Sequence, residues 1–123
     1  MSPLIGCLLV AAGGFAGSVS RYLVAQQAGK YWPSSVPWGT LFVNLTGSFL
    51  LGLLYGAHAS PVFLLLIGTG FIGAYTTFST FIHENMKFEH NKEWVLFIFY
   101  TGISLTTGIV FAYLGKLAGH AIG

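Results

Sequence analysis

The sequence predicts an all-α membrane protein with four transmembrane helices, the third of them broken along its length. Three observations carry that prediction. Only 7% of the residues are charged and 54% are hydrophobic, whereas an average soluble domain is about 25% charged; lipid is the solvent this surface fits. Four apolar segments, roughly 3–24, 39–57, 61–82 and 94–115, reach the roughly 20 residues that a helix needs to cross hydrocarbon. Only helices or closed barrels satisfy their backbone in lipid, and no segment here alternates with period two. Finally, residues 68–81 read Gly-Thr-Gly-Phe-Ile-Gly-Ala-Tyr-Thr-Thr-Phe-Ser-Thr-Phe, a poor composition for an unbroken helix. Gly68, Gly70 and Gly73 hold the backbone loosely, and the hydroxyls of Thr76, Thr77, Ser79 and Thr80 can bond carbonyls that a broken turn strands. A chain that interrupts a helix in lipid usually does so to build an ion or substrate site.

Taken in order, the first segment carries no Lys or Arg in residues 1–20 that could serve as the basic region of a signal peptide, so it is expected to stay in the mature protein. Gly13, Gly14 and Gly17 give it a small face, followed at helical spacing by Ser18 and Arg21. Cys7, the only cysteine, excludes an internal disulfide and fits a packing role. The connection Gly29–Trp38 holds two prolines and a Trp at each side, Trp32 and Trp38, as an interfacial belt would. Segment two presents Thr40, Asn44, Gly47, Ser48, Gly52 and Gly56, small enough for close helix approach except at Asn44, whose amide needs partners. His58-Ala59-Ser60-Pro61 reads as a tight turn, and 83–93 as a polar loop that ends at Trp94. Segment four sets Tyr100, Ser104, Thr107 and Gly108 on one face. Residues 1–123 are expected to form a single domain, with no internal repeat.

The charges are few enough to read individually. Lys30, Lys87 and Lys92, with Arg21 at the boundary, fall on one side of the membrane, and Lys116 on the other. That leans loops one and three toward the cytoplasm, and so small a bias also suits a chain inserted in both orientations. Glu84, Glu89 and Glu93 all fall in the third loop, so no span is expected to hold a carboxylate. Proton-coupled cation carriers generally need one, which argues against a small multidrug exporter. His58, His83, His90 and His120 lack metal-ligand spacing, and no nucleophile–base set, phosphate loop or nucleotide motif can be assembled. The chain is therefore not expected to be an enzyme, nor, at a net charge of +2, to bind nucleic acid. What remains is a set of hydrogen-bond donors, Asn44, Ser79, Thr80, Tyr100, Ser104 and Thr107, one cation at Arg21, and the ring edges of Phe78 and Phe81. Donors without acids favour an anion. Phe78 and Phe81 could equally face lipid or core, and Arg21 could snorkel to the interface.

Three runs, Gly13-Gly14-Phe15-Ala16-Gly17-Ser18-Val19-Ser20-Arg21-Tyr22, Gly39-Thr40-Leu41-Phe42-Val43-Asn44-Leu45-Thr46-Gly47-Ser48-Phe49 and Gly70 through Phe81, closely resemble the signatures of the Fluc (CrcB) fluoride channels. The resemblance covers all four segments and their order. It implies an antiparallel, dual-topology homodimer in the prokaryotic plasma membrane, with two pores that pass toxic fluoride out of the cell. It implies a structural sodium ion held by the carbonyls of Gly73 and Thr76 from both subunits. Phe78 and Phe81 would line each pore, Asn44, Ser79 and Thr80 would supply hydrogen bonds, and Tyr100 and Ser104 would form a polar track. At Gly108 this chain lacks the hydroxyl that relatives can carry, with Thr107 beside it, and Arg21 matches a basic residue near the vestibule. The competing readings are a channel or transporter for another small anion, and a membrane scaffold whose Asn44 and hydroxyls serve packing alone.

Overall fold

The computed structural model describes residues 2–31 and 36–123, and these are helical, with no strand among them. The helices are α1 (Pro3–Tyr31), α2 (Trp38–Gly56), α3 (Pro61–Phe63), a π-helix π1 (Leu64–Ile72), α4 (Gly73–Tyr75), α5 (Ser79–His90) and α6 (Trp94–Ile122). Four stretches are long and apolar enough to cross a membrane: Pro3–Tyr31, Trp38–Gly56, Pro61–His90 and Trp94–Ile122.

Their number is the one the apolar segments predict; their ends are not. The first, third and fourth run to 31, 90 and 122, well past the expected 24, 82 and 115. Hydropathy marks where a helix leaves lipid, whereas a helix stops only where its backbone is broken. Residues 83–90, His-Glu-Asn-Met-Lys-Phe-Glu-His, contain neither Gly nor Pro, so α5 continues through what composition marks as a loop. The true turn is short, with Lys92 in the left-handed region at φ 58° and the Glu93 N–H bonded to the Phe88 carbonyl at 2.8 Å. The turn at His58 is likewise closed by a left-handed residue, φ 54°, before Pro61 opens α3. Trp32, Pro33, Ser34 and Ser35, on which part of the first-loop expectation falls, lie outside the described residues.

Two glycine seams hold the helices together. On α2 and α6 a Cβ at Gly56 would overlap the Lys116 carbonyl, and one at Gly119 the Leu53 carbonyl; Gly52 and Gly115 repeat the pattern a turn away. Both helices step by four residues, so two α-turns mesh backbone to backbone. The seam of α1 against π1 meshes differently. A Cβ at Gly13 would overlap the Leu66 carbonyl and one at Gly17 the Phe71 carbonyl. A four-residue step on α1 thus meets a five-residue step on π1, which is one turn of a helix with i→i+5 bonding. The wide helix keeps successive carbonyls in register with the glycine face.

Beside these seams a small aromatic core forms from Leu41, Phe81, Phe88 and Tyr100. Elsewhere large apolar side chains face outward, among them Leu8 and Phe15 on α1 and Val95, Ile98 and Ile109 on α6. Faces this apolar are covered by lipid or by another chain.

Candidate functional site

Between α4 and α5 the helical path lapses for three residues, and α2 holds the lapse in place. Thr76 is extended, with φ −80° and ψ 160°. Asn44 reaches across from α2 and pairs with the backbone of Thr77 in both directions: its Nδ2 donates to the Thr77 carbonyl at 3.0 Å, and its Oδ1 accepts the Thr77 N–H at 2.9 Å. The amide partners that the sequence demands for Asn44 are thus the polar groups of one residue, matched donor for acceptor. Thr77 in turn caps α5, its Oγ1 accepting the Thr80 N–H at 3.2 Å and donating to the Thr80 hydroxyl at 3.1 Å. Thr76 is seated by a hydroxyl bond back to the Ile72 carbonyl, 2.8 Å, and by its methyl, which occupies the space a side chain on Gly47 would need.

These diversions have a consequence for two carbonyls. In an uninterrupted α-helix the Thr77 N–H would bond the Gly73 carbonyl, and the Thr80 N–H the Thr76 carbonyl. Both donors are instead taken by side-chain oxygens. Among the described residues no backbone N–H outside the helices is given to either carbonyl. Gly73 is exposed and Thr76 half-buried. Neutral carbonyl oxygens are ligands for a hard cation. Among the described residues no group of three or more His, Cys, Asp or Glu side chains could hold a metal ion.

Several of the expected aromatic and hydroxyl residues are brought together here. Phe78 and Phe81 stand with ring centroids 6.1 Å apart, and Phe81 lies 5.2 Å from the ring of Tyr100. Their exposures differ: Phe78 is 74% exposed and Phe81 8%. Ser79 is within 3.4 Å of the Thr77 hydroxyl. Ser104, one turn beyond Tyr100, has a buried Oγ with no partner among the described residues. Thr107 spends its hydroxyl on the Ile103 carbonyl of its own helix, and Gly108 faces open space. Arg21 is brought to this group by a cavity of about 310 Å³ that it shares with Ser18, Thr40, Thr77 and Thr80. A second cavity, about 260 Å³, opens on the other side of Thr77, between Ser48, Asn44, Thr76 and Phe78.

One expectation is corrected: composition places Glu84 in the third loop, whereas it lies on α5, within the 30-residue helix Pro61–His90, and is half-buried. Its Oε1 accepts the Tyr100 hydroxyl at 2.9 Å and its Oε2 the Thr40 hydroxyl at 3.3 Å. The physical reason is the continuation of α5, which sets Glu84 one turn beyond Thr80 and Phe81 on the same face. As a loop residue Glu84 is invisible; as i+4 from Thr80 and i+3 from Phe81 it joins this group. Thr77 is the second residue that composition understates: one hydroxyl residue among several in the sequence, it bonds both Asn44 and Thr80.

Comparison with known proteins separates the readings that chemistry leaves open. Residues 8–116 match the family described as CrcB-like protein, Camphor Resistance (CrcB). Relatives include a fluoride-specific ion channel FluC 1 of Geobacillus kaustophilus (strain HTA426), 45% identical over 92% of this chain and 97% of that protein. A fluoride-specific ion channel FluC 2 of Bacillus thuringiensis subsp. konkukian (strain 97-27) is 41% identical over 94% of this chain and 99% of that one. A FluC 1 of Listeria monocytogenes serovar 1/2a is 39% identical over 94% and 98%.

Proposed function

The chain belongs to the CrcB family, and on that premise we propose that it is a fluoride-selective channel through which the toxic anion leaves the cell passively. The observation that carries the reading is similarity over nearly the whole chain to relatives named for fluoride conduction. The hydroxyl donors and ring edges among Phe78, Ser79, Thr80, Phe81 and Ser104 supply the chemistry. Fluoride is small and strongly hydrated, so a path must replace its water with close donors. Ser79, Thr80 and Ser104 offer hydroxyl protons, that of Thr77 being given to Thr80, and the edges of Phe78 and Phe81 carry partial positive charge. Arg21 raises the anion's local concentration in the cavity it shares with Thr80. The Tyr100 proton is committed to Glu84; in our reading Tyr100 serves the anion only while that bond is released.

The assembly we propose is an antiparallel homodimer in the plasma membrane, with two pores. The outward apolar faces of α1 and α6 give a second copy and the lipid surfaces to cover, and the near balance of Lys and Arg across the membrane suits both orientations. The carbonyls of Gly73 and Thr76 from both copies would hold a structural sodium ion, whose charge compensates oxygens left without N–H partners in lipid. Such an ion fixes the interrupted segments of the two copies against each other; it does not move.

Purified protein in liposomes loaded with fluoride tests the proposal. Efflux read by a fluoride electrode should start when valinomycin supplies a potassium pathway for charge balance, and should need no proton gradient. Flux that runs without valinomycin and collapses with the proton gradient would replace the channel by a coupled carrier.

A further inference from the structure

Asn44 is not the only side chain by which α2 grips the interrupted segment. Thr46, one residue before Gly47, meets Tyr75, the last residue of α4, with their hydroxyl oxygens 2.9 Å apart. The direction of that bond follows from proton counting. Thr46 has one hydroxyl proton, and its Oγ1 lies 2.8 Å from the Phe42 carbonyl and 3.2 Å from the Val43 carbonyl, which can only accept. Tyr75 is therefore the donor, and the chain runs from Tyr75 through Thr46 to the backbone of α2. The Tyr75 ring is buried, 6% exposed, and stacked on Phe71 at 5.5 Å, so the phenol has no freedom to seek another acceptor.

We propose that Thr46 and Tyr75 are a positioning pair that fixes the end of α4 and, with Asn44, sets where the Gly73 and Thr76 carbonyls point. Thr76 is the residue between the two anchors: Tyr75 before it is tied to Thr46, and Thr77 after it to Asn44. All the grips come from one turn of α2, residues 44–47, with Gly47 making room for the Thr76 methyl. Loss of the first anchor leaves Thr77 held while Gly73–Thr76 can rotate about it. The consequence for sodium rests on the reading of those two carbonyls as its ligands.

The pair makes an asymmetric prediction that packing alone does not. Thr46→Val keeps shape but leaves the buried Tyr75 donor without an acceptor, whereas Tyr75→Phe leaves Thr46 still bonded to α2. Thr46→Val should raise the sodium concentration for half-maximal fluoride flux by about two- to tenfold, the worth of one neutral hydrogen bond, and should speed amide exchange at Thr76 and Thr77. Tyr75→Phe should do less, the double variant should resemble Tyr75→Phe, and Thr46→Ser should stay close to the parent. The proposal is overturned if Thr46→Val leaves both readouts unchanged, or if the double variant is worse than Thr46→Val. Sodium-independent flux in the parent would remove the sodium reading instead; exchange then decides the pair alone, acceleration at Thr76 and Thr77 supporting it and none refuting it. If Thr46→Val does not fold, Tyr75→Phe is read against the parent, and exchange unchanged at Thr76 and Thr77 overturns the pair.

Discussion

Replacing Asn44 probes the interrupted segment most sharply, because one side chain satisfies both polar groups of one residue. Asn44→Ala removes the 3.0 Å bond to the Thr77 carbonyl and the 2.9 Å bond from the Thr77 N–H together. Each group left unpaired away from water costs about 1–3 kcal/mol. The larger end is reduced in membranes, where measured interhelical bonds average about 0.6 kcal/mol because the unfolded chain also finds partners. Two groups on a short non-helical segment then give about 1–4 kcal/mol for Asn44→Ala. Asn44→Asp keeps the acceptor for the N–H but turns an oxygen toward the Thr77 carbonyl, so it loses the donor and adds repulsion. Reversible unfolding in mixed micelles measures both, and fluoride efflux read on the same preparations shows whether the site goes with the fold. Asn44→Ala within about 0.5 kcal/mol of the parent, the range of an ordinary surface change, with normal efflux would refute the clamp.

Three further outcomes concern the seams, the turn and the rings. Gly119→Leu should destabilise the protein by about 1–3 kcal/mol, the usual range for overpacking, because its Cβ meets the Leu53 carbonyl; unchanged thermal stability would mean that α2 and α6 do not mesh here. Lys92→Gly should raise stability by about 0.5–1 kcal/mol, since a left-handed non-glycine costs about 1–2 kcal/mol and glycine's extra freedom returns part of it; a lower melting temperature would contradict the turn geometry. Phe78→Ile, at a 74% exposed position, should cut fluoride flux at least about tenfold while stability stays within about 0.5 kcal/mol. Phe81→Ile should also cut flux with the dimer still assembled, but it removes a ring from the Tyr100 core and needs a stability control. Normal flux in either variant takes that ring out of the path.

How much of this was legible in the sequence depends on which physical signal each feature carries. The four spans are written in hydropathy, a sum over many residues that tolerates local error. Helix ends are not, because α5 needs no apolar residue to continue through Glu84 to His90 once nothing breaks it. That single boundary hid Glu84 and with it the Tyr100 and Thr40 bonds. Asn44 could be singled out as an amide that must be paired, but its partner lies 33 residues away on the non-helical segment between α4 and α5. The seams show the same division. Gly52 and Gly56 announce a close approach, while part of their complement, Gly119, lies in the stretch of α6 that composition assigns beyond the last span. Register between helices of different pitch, as at Gly13 and Gly17 against Leu66 and Phe71, is a property of the pair and is written in neither helix alone.

Anion choice is the decisive property, because hydroxyl donors and ring edges favour an anion without choosing among anions, and fluoride rests on the family. Efflux of fluoride and of chloride should be measured in parallel from liposomes holding the folded protein, each with valinomycin present. A fluoride-selective channel gives rapid fluoride loss and chloride loss no faster than in protein-free liposomes. Comparable rates for the two anions, or no fluoride loss from the folded protein, would contradict it.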